Sequence, residues 1–386
     1  MNATSTKQNI PKGWRTATIE DLCENLDNLR KPVTKSDREV GDIPYYGATG
    51  VVDYVKDYIF DESLLLVGED GADWSKFADT AYLISGKSWV NNHAHVLRCE
   101  NVNQVYLKEY LNYQDLNQYI TGGTRGKLTK GILSRIAIVI PPDAEQKKIA
   151  EILSAVDEEI QKTDEIIAVT EKLKKGLVSE LFSKYSDSQK SKIKDICEVT
   201  SSKRIMVSDY VDKGIPFYRS TEIIKKSKNI PVADPLYISV EKFNFFKNRF
   251  GAPEAGDLLI TAVGTIGDVY LVQNEIFYFK DGNSVWLRKI KEMVIPEYLK
   301  MILSSNFYRE KLNNIAGGSS QKALTIEKLE NVEIPVPSQS EQTRLVEILS
   351  TVDKKISINK KIKEKLTSLK RGLMQDLLTG KVRTTK

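Results

Sequence analysis

Two long stretches of the chain carry apolar residues at alternating spacings of three and four positions, with polar residues between them. This spacing predicts long helices that pair through a heptad seam, one from about Asp143 to Phe182 and one from about Ser338 to Leu378. The pattern also allows two amphipathic helices that each pack on their own domain. The seam positions are Ile149, Leu153, Val156, Ile160, Ile167, Leu177 and Leu181, then Leu345, Leu349, Val352, Ile356, Leu366, Leu373 and Leu377.

The two stretches are copies of one another. Residues 145–157 read EQKKIAEILSAVD, and residues 341–353, 196 positions later, read EQTRLVEILSTVD. The same offset relates Leu128 to Leu324 and Pro141 to Pro337. Because the period is far longer than that of a solenoid repeat, it predicts a duplicated domain that ends in a long helix.

The repeat divides the chain into segments. We expect two variable domains at residues 1–142 and 191–337, each followed by a long helix at residues 143–183 and 338–379. Residues 184–190 form a polar linker, and residues 380–386 form a tail. At 1.5 Å per residue, helices of this length would span about 57 Å, or roughly 17 base pairs of DNA.

Short apolar runs bounded by turn residues predict strands in both variable domains. The fold class is therefore α+β: two mixed α/β domains in a pseudo-two-fold arrangement, separated by two long antiparallel helices. In each domain we expect a twisted, barrel-like sheet. The predicted strands are residues 63–67, 80–84, 94–98, 136–140, 257–261, 268–272 and 284–288, and the predicted short helices begin at Val105 and Pro296.

The charges of the two helices are complementary. If the helices pair antiparallel about a centre near Gln161–Lys162, each acidic pair of the first faces a basic pair of the second. Exposed ion pairs contribute only about 0.2–1 kcal/mol each, so these charges select the partner more than they stabilise the pair. The acidic residues are Glu158, Glu159, Asp164 and Glu165, and the basic residues are Lys354, Lys355, Lys360 and Lys361.

The composition narrows the class of protein. The chain has 386 residues, enough for two cores, and a formal charge of +5, which suits nucleic-acid binding but also fits a solvated lysine-rich surface. Cys23, Cys99 and Cys197 are odd in number and widely separated, which predicts a reducing cytoplasm without disulfides. No apolar run reaches the ~20 residues of a membrane helix, and no signal peptide is visible.

Two glycine-rich loops are the best candidates for DNA contact. TGGTRGKLTK at residues 121–130 and AGGSSQKALT at residues 316–325 combine flexible backbone, hydroxyls and cations, which suit phosphates and base edges. The alternative is a solvated loop that leads into a helix. The candidates are Arg125, Lys127, Lys130, Gln321 and Lys322, with weaker ones at Arg30, Lys31, Lys203, Arg204 and Arg219.

The sequence offers little support for a metal site, a nucleotide-binding site or a methyltransferase motif. His93 and His95 would share a strand face, but a zinc site usually needs four ligands, so we expect a structural role and no metal. Gly264 and Gly267 lack the spacing of a nucleotide-binding loop and predict a tight turn. IPYYG and IPPD superficially resemble a methyltransferase motif but lack its Asn or Asp. The sequence thus offers no catalytic residue.

Several segments together resemble the specificity subunit of type I restriction-modification systems. In the first domain these are LLLVGEDGA and SGKSWVNNHAHVL, and in the second GDLLITAVGTIGDVYLV and GGSSQKALT. The two EQ…EILS…VD helices complete the resemblance.

The resemblance implies a non-catalytic, DNA-binding subunit that reads a bipartite target. Each variable domain would be a target recognition domain, and the helices would dock two modification subunits that hold S-adenosylmethionine. Those subunits would flip and methylate the target adenine, and a restriction/translocase subunit would complete the complex. The alternatives are a self-contained DNA methyltransferase or nuclease, or a coiled-coil scaffold without nucleic acid.

Overall fold

The structure is a computed structural model that describes residues 10–123, 126–184, 190–317 and 322–384, with backbone alone for residues 181–184. It divides into two compact units. The first comprises Met1–Ile167 and Ile358–Lys386, and the second comprises Ala168–Ser357. Both long helices therefore contribute residues to both units. In the parts of the chain that the structure describes, no helix combines the length and apolar character needed to cross a membrane.

The first unit is a mixed α/β domain. Its strands are β1 (Arg15–Thr18), β2 (Cys23–Asn25), β3 (Val40–Gly47), β4 (Gly50–Val55), β5 (Phe60–Asp61), β6 (Leu64–Gly68), β7 (Ala81–Ile84), β8 (Lys87–Val90), β9 (Ala94–Cys99) and β10 (Ala137–Ile140). Its helices are α1 (Ile19–Leu22), α2 (Gln104–Tyr113), α3 (Lys130–Leu133) and the start of α4 (Asp143–Lys184).

The second unit follows the same plan. Its strands are β11 (Lys190–Lys192), β12 (Glu198–Thr200), β13 (Tyr210–Val211), β14 (Ile215–Tyr218), β15 (Leu236–Ile238), β16 (Leu258–Thr261), β17 (Val269–Leu271), β18 (Tyr278–Phe279), β19 (Ser284–Arg288) and β20 (Glu333–Pro335). Its helices are α5 (Ile193–Ile196), α6 (Ser220–Ser227), α7 (Val240–Phe250), α8 (Pro296–Leu303), α9 (Asn306–Ile315), α10 (Ile326–Glu330) and the start of α11 (Gln339–Leu377).

The sheets have equivalent strand orders in the two units. The order β2-β9-β6-β7 in the first unit corresponds to β12-β19-β16-β17 in the second, and the pair β1-β10 corresponds to β11-β20. Each unit also has a second four-stranded sheet, β4-β3-β8-β5 or β13-β15-β14-β18, with one parallel pair. Among the described residues these sheets are linear, so the expected barrel-like closure is wrong.

The central strand of each main sheet explains the apolar runs in the sequence. Side chains of a strand alternate between faces, and in β6 Leu65 and Val67 enter one core while Leu64 and Leu66 enter another. A strand that is buried on both faces therefore appears in the sequence as a continuous apolar segment.

A buried glutamine explains why both long helices begin with the same EQ motif. In the first unit Gln146 accepts a hydrogen bond from the Asn103 amide, which lies at the start of α2, and donates to the Pro141 carbonyl. In the second unit Gln342 accepts from the Ile295 amide and donates to the Pro337 carbonyl. The motif therefore joins each long helix to the α/β domain that precedes it.

The long helices run antiparallel within the first unit, as predicted, but in a different register. Asp157 Oδ1 lies 2.6 Å from Lys370 Nζ, and Asp164 Oδ1 lies 2.7 Å from Lys363 Nζ, so seven residues forward on α4 match seven residues back on α11. A centre at Gln161–Lys162 would have placed Asp164 level with Lys355. The observed partner lies eight residues further along α11.

The predicted pairing is therefore wrong for Asp164, whose partner is Lys363, and it stays a prediction for the other charges. Glu159 contacts Lys162 on its own helix, and Glu165 accepts a hydrogen bond from Gln161. Asp164 is half-buried. The other predicted residues have exposed side chains: Glu158, Glu159, Glu165, Lys354, Lys355, Lys360 and Lys361. Exposed charges are too weak to set a register against buried contacts such as the one between Lys370 and Glu109.

The expectation that the chain lacks disulfides is also wrong. Cys23 on β2 lies directly opposite Cys99 on β9 in the antiparallel ladder, and a disulfide joins them. Directly opposed residues on neighbouring strands bring their β-carbons close enough for such a bond. Cys197 occupies the place of Cys23 in the second unit and is a buried free thiol.

Candidate nucleic-acid interface

The candidate loop of the first unit, residues 121–130, closes on itself and on the end of β6. Thr121 and Lys127 exchange two backbone hydrogen bonds of 3.0 and 2.8 Å. The amide of Leu128 then donates to the carbonyl of Glu69 at 2.8 Å. These bonds leave the side chains of Lys127 and Lys130 exposed on the surface. Arg125 lies outside the described residues.

A nearly buried carboxylate lies beneath this loop. Glu69 Oε1 is 2.7 Å from Lys127 Nζ, and Glu69 Oε2 contacts the Arg30 guanidinium. Burial alone would raise the pKa of Glu69, but the hydrogen bonds from Lys127 and Arg30 outweigh it and lower the pKa below its usual value. The same contact raises the pKa of Lys127. Both groups are therefore charged, and Lys127 is held in a fixed place.

The candidate loop of the second unit is attached in the same way. Gly317 and Ala323 exchange backbone hydrogen bonds of 3.1 and 2.8 Å, and the Leu324 amide donates to the Ala262 carbonyl at 2.8 Å. Lys322 precedes this attachment and has an exposed side chain. Gln321 lies outside the described residues.

The weaker candidates of the second unit lie around the turn of residues 281–283. Arg204 Nε donates to Asp281 at 3.3 Å and remains exposed, and the Ala262 amide donates to the Asn283 carbonyl. Lys203 is exposed and lies over the Phe250 ring. The structure therefore brings Lys203, Arg204 and the attachment of the candidate loop to one part of this unit.

Arg219 has a different role from the other cations. Its guanidinium donates to both carboxylate oxygens of Glu222, at 3.1 and 2.8 Å, at the start of α6. Glu222 is buried, so Arg219 compensates its charge. Its side chain is half-exposed, but the guanidinium is already bound to Glu222 in this ion pair.

Arg30, a weaker candidate for DNA contact in the first unit, is mostly buried. Its guanidinium contacts Glu69 and Asp27 and donates to the carbonyl of Ala94 at 2.8 Å. It corresponds in position to Arg204, because each lies six residues after the equivalent strand residue, Glu24 opposite Arg98 in the first unit and Glu198 opposite Arg288 in the second. No spacing or periodicity in the sequence indicates that Asp27, Arg30 and Glu69 lie together.

Both units thus present a loop with exposed cations on an equivalent backbone platform. The comparison with protein families bears directly on this duplication. The family model for the type I restriction modification DNA specificity domain matches residues 11–171 and again residues 185–368. The chain belongs to this family. The two matches coincide with the two copies of the repeat.

Specificity subunits from other organisms align in sequence with most of this chain. A putative type I restriction enzyme specificity subunit of Haemophilus influenzae is 33% identical, and the alignment covers 86% of this chain and 85% of that protein. The MjaVIII specificity subunit of Methanocaldococcus jannaschii is 24% identical over 97% of this chain and 94% of its own length. The chain is therefore similar to whole specificity subunits.

Two solved structures from type I restriction-modification systems share the fold. The S subunit of a type I restriction-modification system from M. genitalium matches with a TM-score of 0.62 at 17% identity, covering 96% of this chain and 97% of that one. A chain from a study of complex assembly in the type I R-M system matches with a TM-score of 0.54 at 15% identity, covering 97% and 99%.

Three potential metal ligands come together in this specificity-family chain, although the sequence offered only His93, His95 and Cys99. Asp27, Glu69 and His95 offer ligand atoms within 4.8 Å of one another. Arg30 and Lys127, however, contact the carboxylates, and a cation there would meet their positive charge. The cluster is better described as an ion-pair network, and Cys99 is engaged in the disulfide.

The glycine-rich turn at residues 262–268 is a tight connection between β16 and β17, as predicted. Gly264 and Gly267 have φ values of +77° and +88°, a conformation that glycine adopts readily and other residues avoid. The amide of Gly267 donates to the Thr261 carbonyl, which closes the turn. The two glycines therefore allow the backbone to make this turn.

Proposed function

We propose that this chain directs a type I restriction-modification complex to a bipartite DNA target, with one half read by each recognition domain. The observation that carries this is the duplicated platform: Lys127 and Lys130 in the first domain and Lys322 in the second extend from loops attached by equivalent backbone bonds. Two similar readers in one chain suit two separate half-sites.

The proposed role of the lysines is to hold the DNA backbone. Exposed ammonium groups bind phosphates as point charges and carry little sequence information. Base edges would be read by other side chains of the same face, and Arg125 and Gln321 stay predictions for that role. Arg219 is a poorer candidate because the carboxylate of Glu222 already engages both arms of its guanidinium.

The chain would be non-catalytic, and partners would supply the chemistry. We propose that two modification subunits dock on the long helices, hold S-adenosylmethionine and methylate a flipped adenine, and that a restriction/translocase subunit joins them. Exposed apolar side chains recur at repeat-equivalent positions on the helices, Ile166 with Ile362 and Leu173 with Leu369. Such side chains suit protein contact better than water.

The test is a map of methylated adenines and a footprint, both with the chain co-expressed with its modification subunit. The expected result is a target of two specific segments separated by an unread gap. One continuous recognition sequence would contradict the proposal. Binding of S-adenosylmethionine by the isolated chain would favour a self-contained methyltransferase. A lack of DNA binding at every salt concentration, including low salt, would favour a scaffold.

A further inference from the structure

The helix α7 (Val240–Phe250) is a feature of the second unit alone. It lies between β15 and β16. In the second sheets the parallel pairs β14 with β18 and β3 with β8 correspond, so β15, the antiparallel neighbour of β14, is the equivalent of β4. The segment that follows β4, residues 56–63, is described throughout and contains the two-residue strand β5 but no helix. The two domains therefore present different elements after these strands.

One face of α7 is buried in the second unit. Ser239 caps its first turn by accepting a hydrogen bond from a backbone amide, and Gly251, with a φ of +89°, ends the helix. Phe243, Phe246 and Phe250 follow one another at spacings of three and four, and they pack in one cluster with residues of β14, β15 and β18. This packing fixes which side chains of α7 are turned outward.

The opposite face of α7 is polar and exposed, apart from one aromatic ring. Phe245 is 54% exposed and lies one turn before Arg249, and Asn244 lies one turn before Asn248. Within the described part of the chain, the amides of Asn244 and Asn248 and the guanidinium of Arg249 have no hydrogen-bond or ion-pair partner. These side chains are therefore available to a ligand. The exposed residues of this face are Glu241, Asn244, Phe245, Lys247, Asn248 and Arg249.

This face continues into two cations outside the helix. The charged groups of Arg249 and Lys203 lie 5.4 and 5.3 Å from the centre of the Phe250 ring. Arg204 follows Lys203 and is bound to the turn of residues 281–283, which also contacts the attachment of the candidate loop. We call the exposed residues of α7, together with Lys203 and Arg204, the α7 surface.

The α7 surface suits duplex DNA in charge and in chemistry. Its cations are Lys203, Arg204, Lys247 and Arg249. Its one carboxylate is Glu241, which lies in the first turn of α7, where the helix dipole favours an acid. The major groove of DNA admits an α-helix, and side-chain amides and guanidinium groups bind adenine and guanine edges through paired hydrogen bonds. A protein partner would be expected to meet a larger apolar centre than one phenylalanine ring provides.

We propose that α7 enters the major groove of one half-site, where Asn248 and Arg249 determine specificity at base edges and Lys247 binds a phosphate. This inference rests on the proposed function and names the element with which the second domain reads DNA. The amide of Asn248 can bind adenine through two hydrogen bonds, and the guanidinium of Arg249 can bind guanine in the same way. Because residues 56–63 of the first domain form no such helix, the two domains would read unlike half-sites.

The test is a map of methylated adenines in genomic DNA for the full chain in complex with its modification subunit. Asn248→Ala and Arg249→Ala should each relax the target at one or two base pairs of one half, with about a tenfold loss of discrimination there, and leave the other half unchanged. Arg249→Lys keeps the charge but not the paired hydrogen bonds, so it should lose discrimination as Arg249→Ala does. Alanine favours a helix more than asparagine does, so Asn248→Ala retains α7.

Binding measurements on the same complex separate base reading from phosphate contact. Duplexes that carry the mapped target, and variants of it at single base pairs, give the discrimination at each position. Lys247→Ala should weaken binding to all of them alike and reduce the salt slope by about one. The matched control is Lys194→Ala, which removes an exposed cation of α5 outside the α7 surface and should change neither. Assembly with the modification subunit, measured by size-exclusion chromatography, should be the same for every variant.

Each contrary result has a distinct meaning. A bipartite target that Asn248→Ala and Arg249→Ala leave unchanged, or relax in both halves, would overturn the inference alone. A uniform loss of affinity in Arg249→Ala that Arg249→Lys restores would reduce its role to phosphate contact and overturn base reading. Variants that no longer assemble would make α7 a protein contact and would also overturn it. A wild-type complex with one continuous target would refute the proposed function, while relaxation at single base pairs by the α7 variants would still support base reading by this helix.

Discussion

Lys370 on α11 forms an ion pair with Asp157 on α4, its Nζ lying 2.6 Å from Oδ1. The repeat-related pair is Lys174 with Asp353 in the second unit, also at 2.6 Å. The two pairs differ in their surroundings. Lys370 also contacts Glu109, which is fully buried, whereas the side chains of Lys174 and Asp353 are 38% and 54% exposed.

This difference predicts unequal effects of the same substitution. Lys370→Ala leaves Glu109 as a buried carboxylate with less compensation and should destabilise the protein by about 3–5 kcal/mol. Lys174→Ala removes an exposed pair and should cost about 0.2–1 kcal/mol. Urea unfolding of the two variants beside the wild type measures both. Equal costs would show that burial of Glu109 does not govern the pair.

The tail after α11 is predicted to detach in acid. Arg383 donates two hydrogen bonds of 2.8 Å to the buried carboxylate of Glu145, and Trp14 Nε1 donates a third of 3.0 Å. The hydrogen bonds from Arg383 lower the pKa of Glu145 below the ordinary value of 4.5. The stabilisation is therefore complete above that value and is lost as the pH falls through the lowered pKa.

Amide exchange of residues 379–384 between pH 6 and 3 tests this, after correction for the intrinsic rates. Glu145→Gln should show increased exchange already at pH 6. The matched control is Glu341→Gln, at the repeat-equivalent position in the second unit. If acid or Glu145→Gln leaves the tail protected, the ion pair does not anchor it.

Lys322 and Lys127 should contribute to DNA affinity through phosphates. Lys322→Ala is expected to weaken binding of all sequences alike and to reduce the salt slope by about one. Lys127→Ala should do the same and should also destabilise the loop, since Glu69 loses a partner. Binding titrations at several salt concentrations give the slope, with Lys148→Ala on α4 as the control. Altered preference at one base pair would instead indicate base reading.

The three cysteines should differ in reactivity. Under denaturing conditions without reductant one thiol should react, and with reductant three, because Cys23 and Cys99 are joined. In the native protein Cys197 should react slowly at pH 8, since burial raises the pKa of its thiol to about 12. Thiol titration measures all three states. Three reactive thiols in the unreduced, denatured chain would exclude the bond.

Long-range contacts set the limit of what could be predicted from the sequence. Heptad spacing and the internal repeat located α4 and α11, and apolar runs located β6, β9, β16 and β19, because these signals are local. The second sheet of each unit escaped prediction because its strands are either very short, such as β5 and β13, or interrupted and partly exposed. In β3, for example, Val40–Gly47 is interrupted by a proline and bulges.

The candidate site shows the same limit. The glycines and cations of residues 121–130 and 316–325 identified the loops. The network of Asp27, Glu69 and His95 joins residues from three distant segments, and no spacing in the sequence brings them together. The helix register was missed for a related reason, because the contact between Lys370 and Glu109 involves a helix of the recognition domain.

The core of the first unit contains Met374 and Leu377 from α11 and Leu378 just beyond its end, together with Trp14 near the beginning of the chain. On the ribosome these α11 side chains are made only after the whole second unit. The second unit, Ala168–Ser357, is continuous in sequence and can form before them. The core of the first unit can therefore be completed only after the second unit has been synthesised.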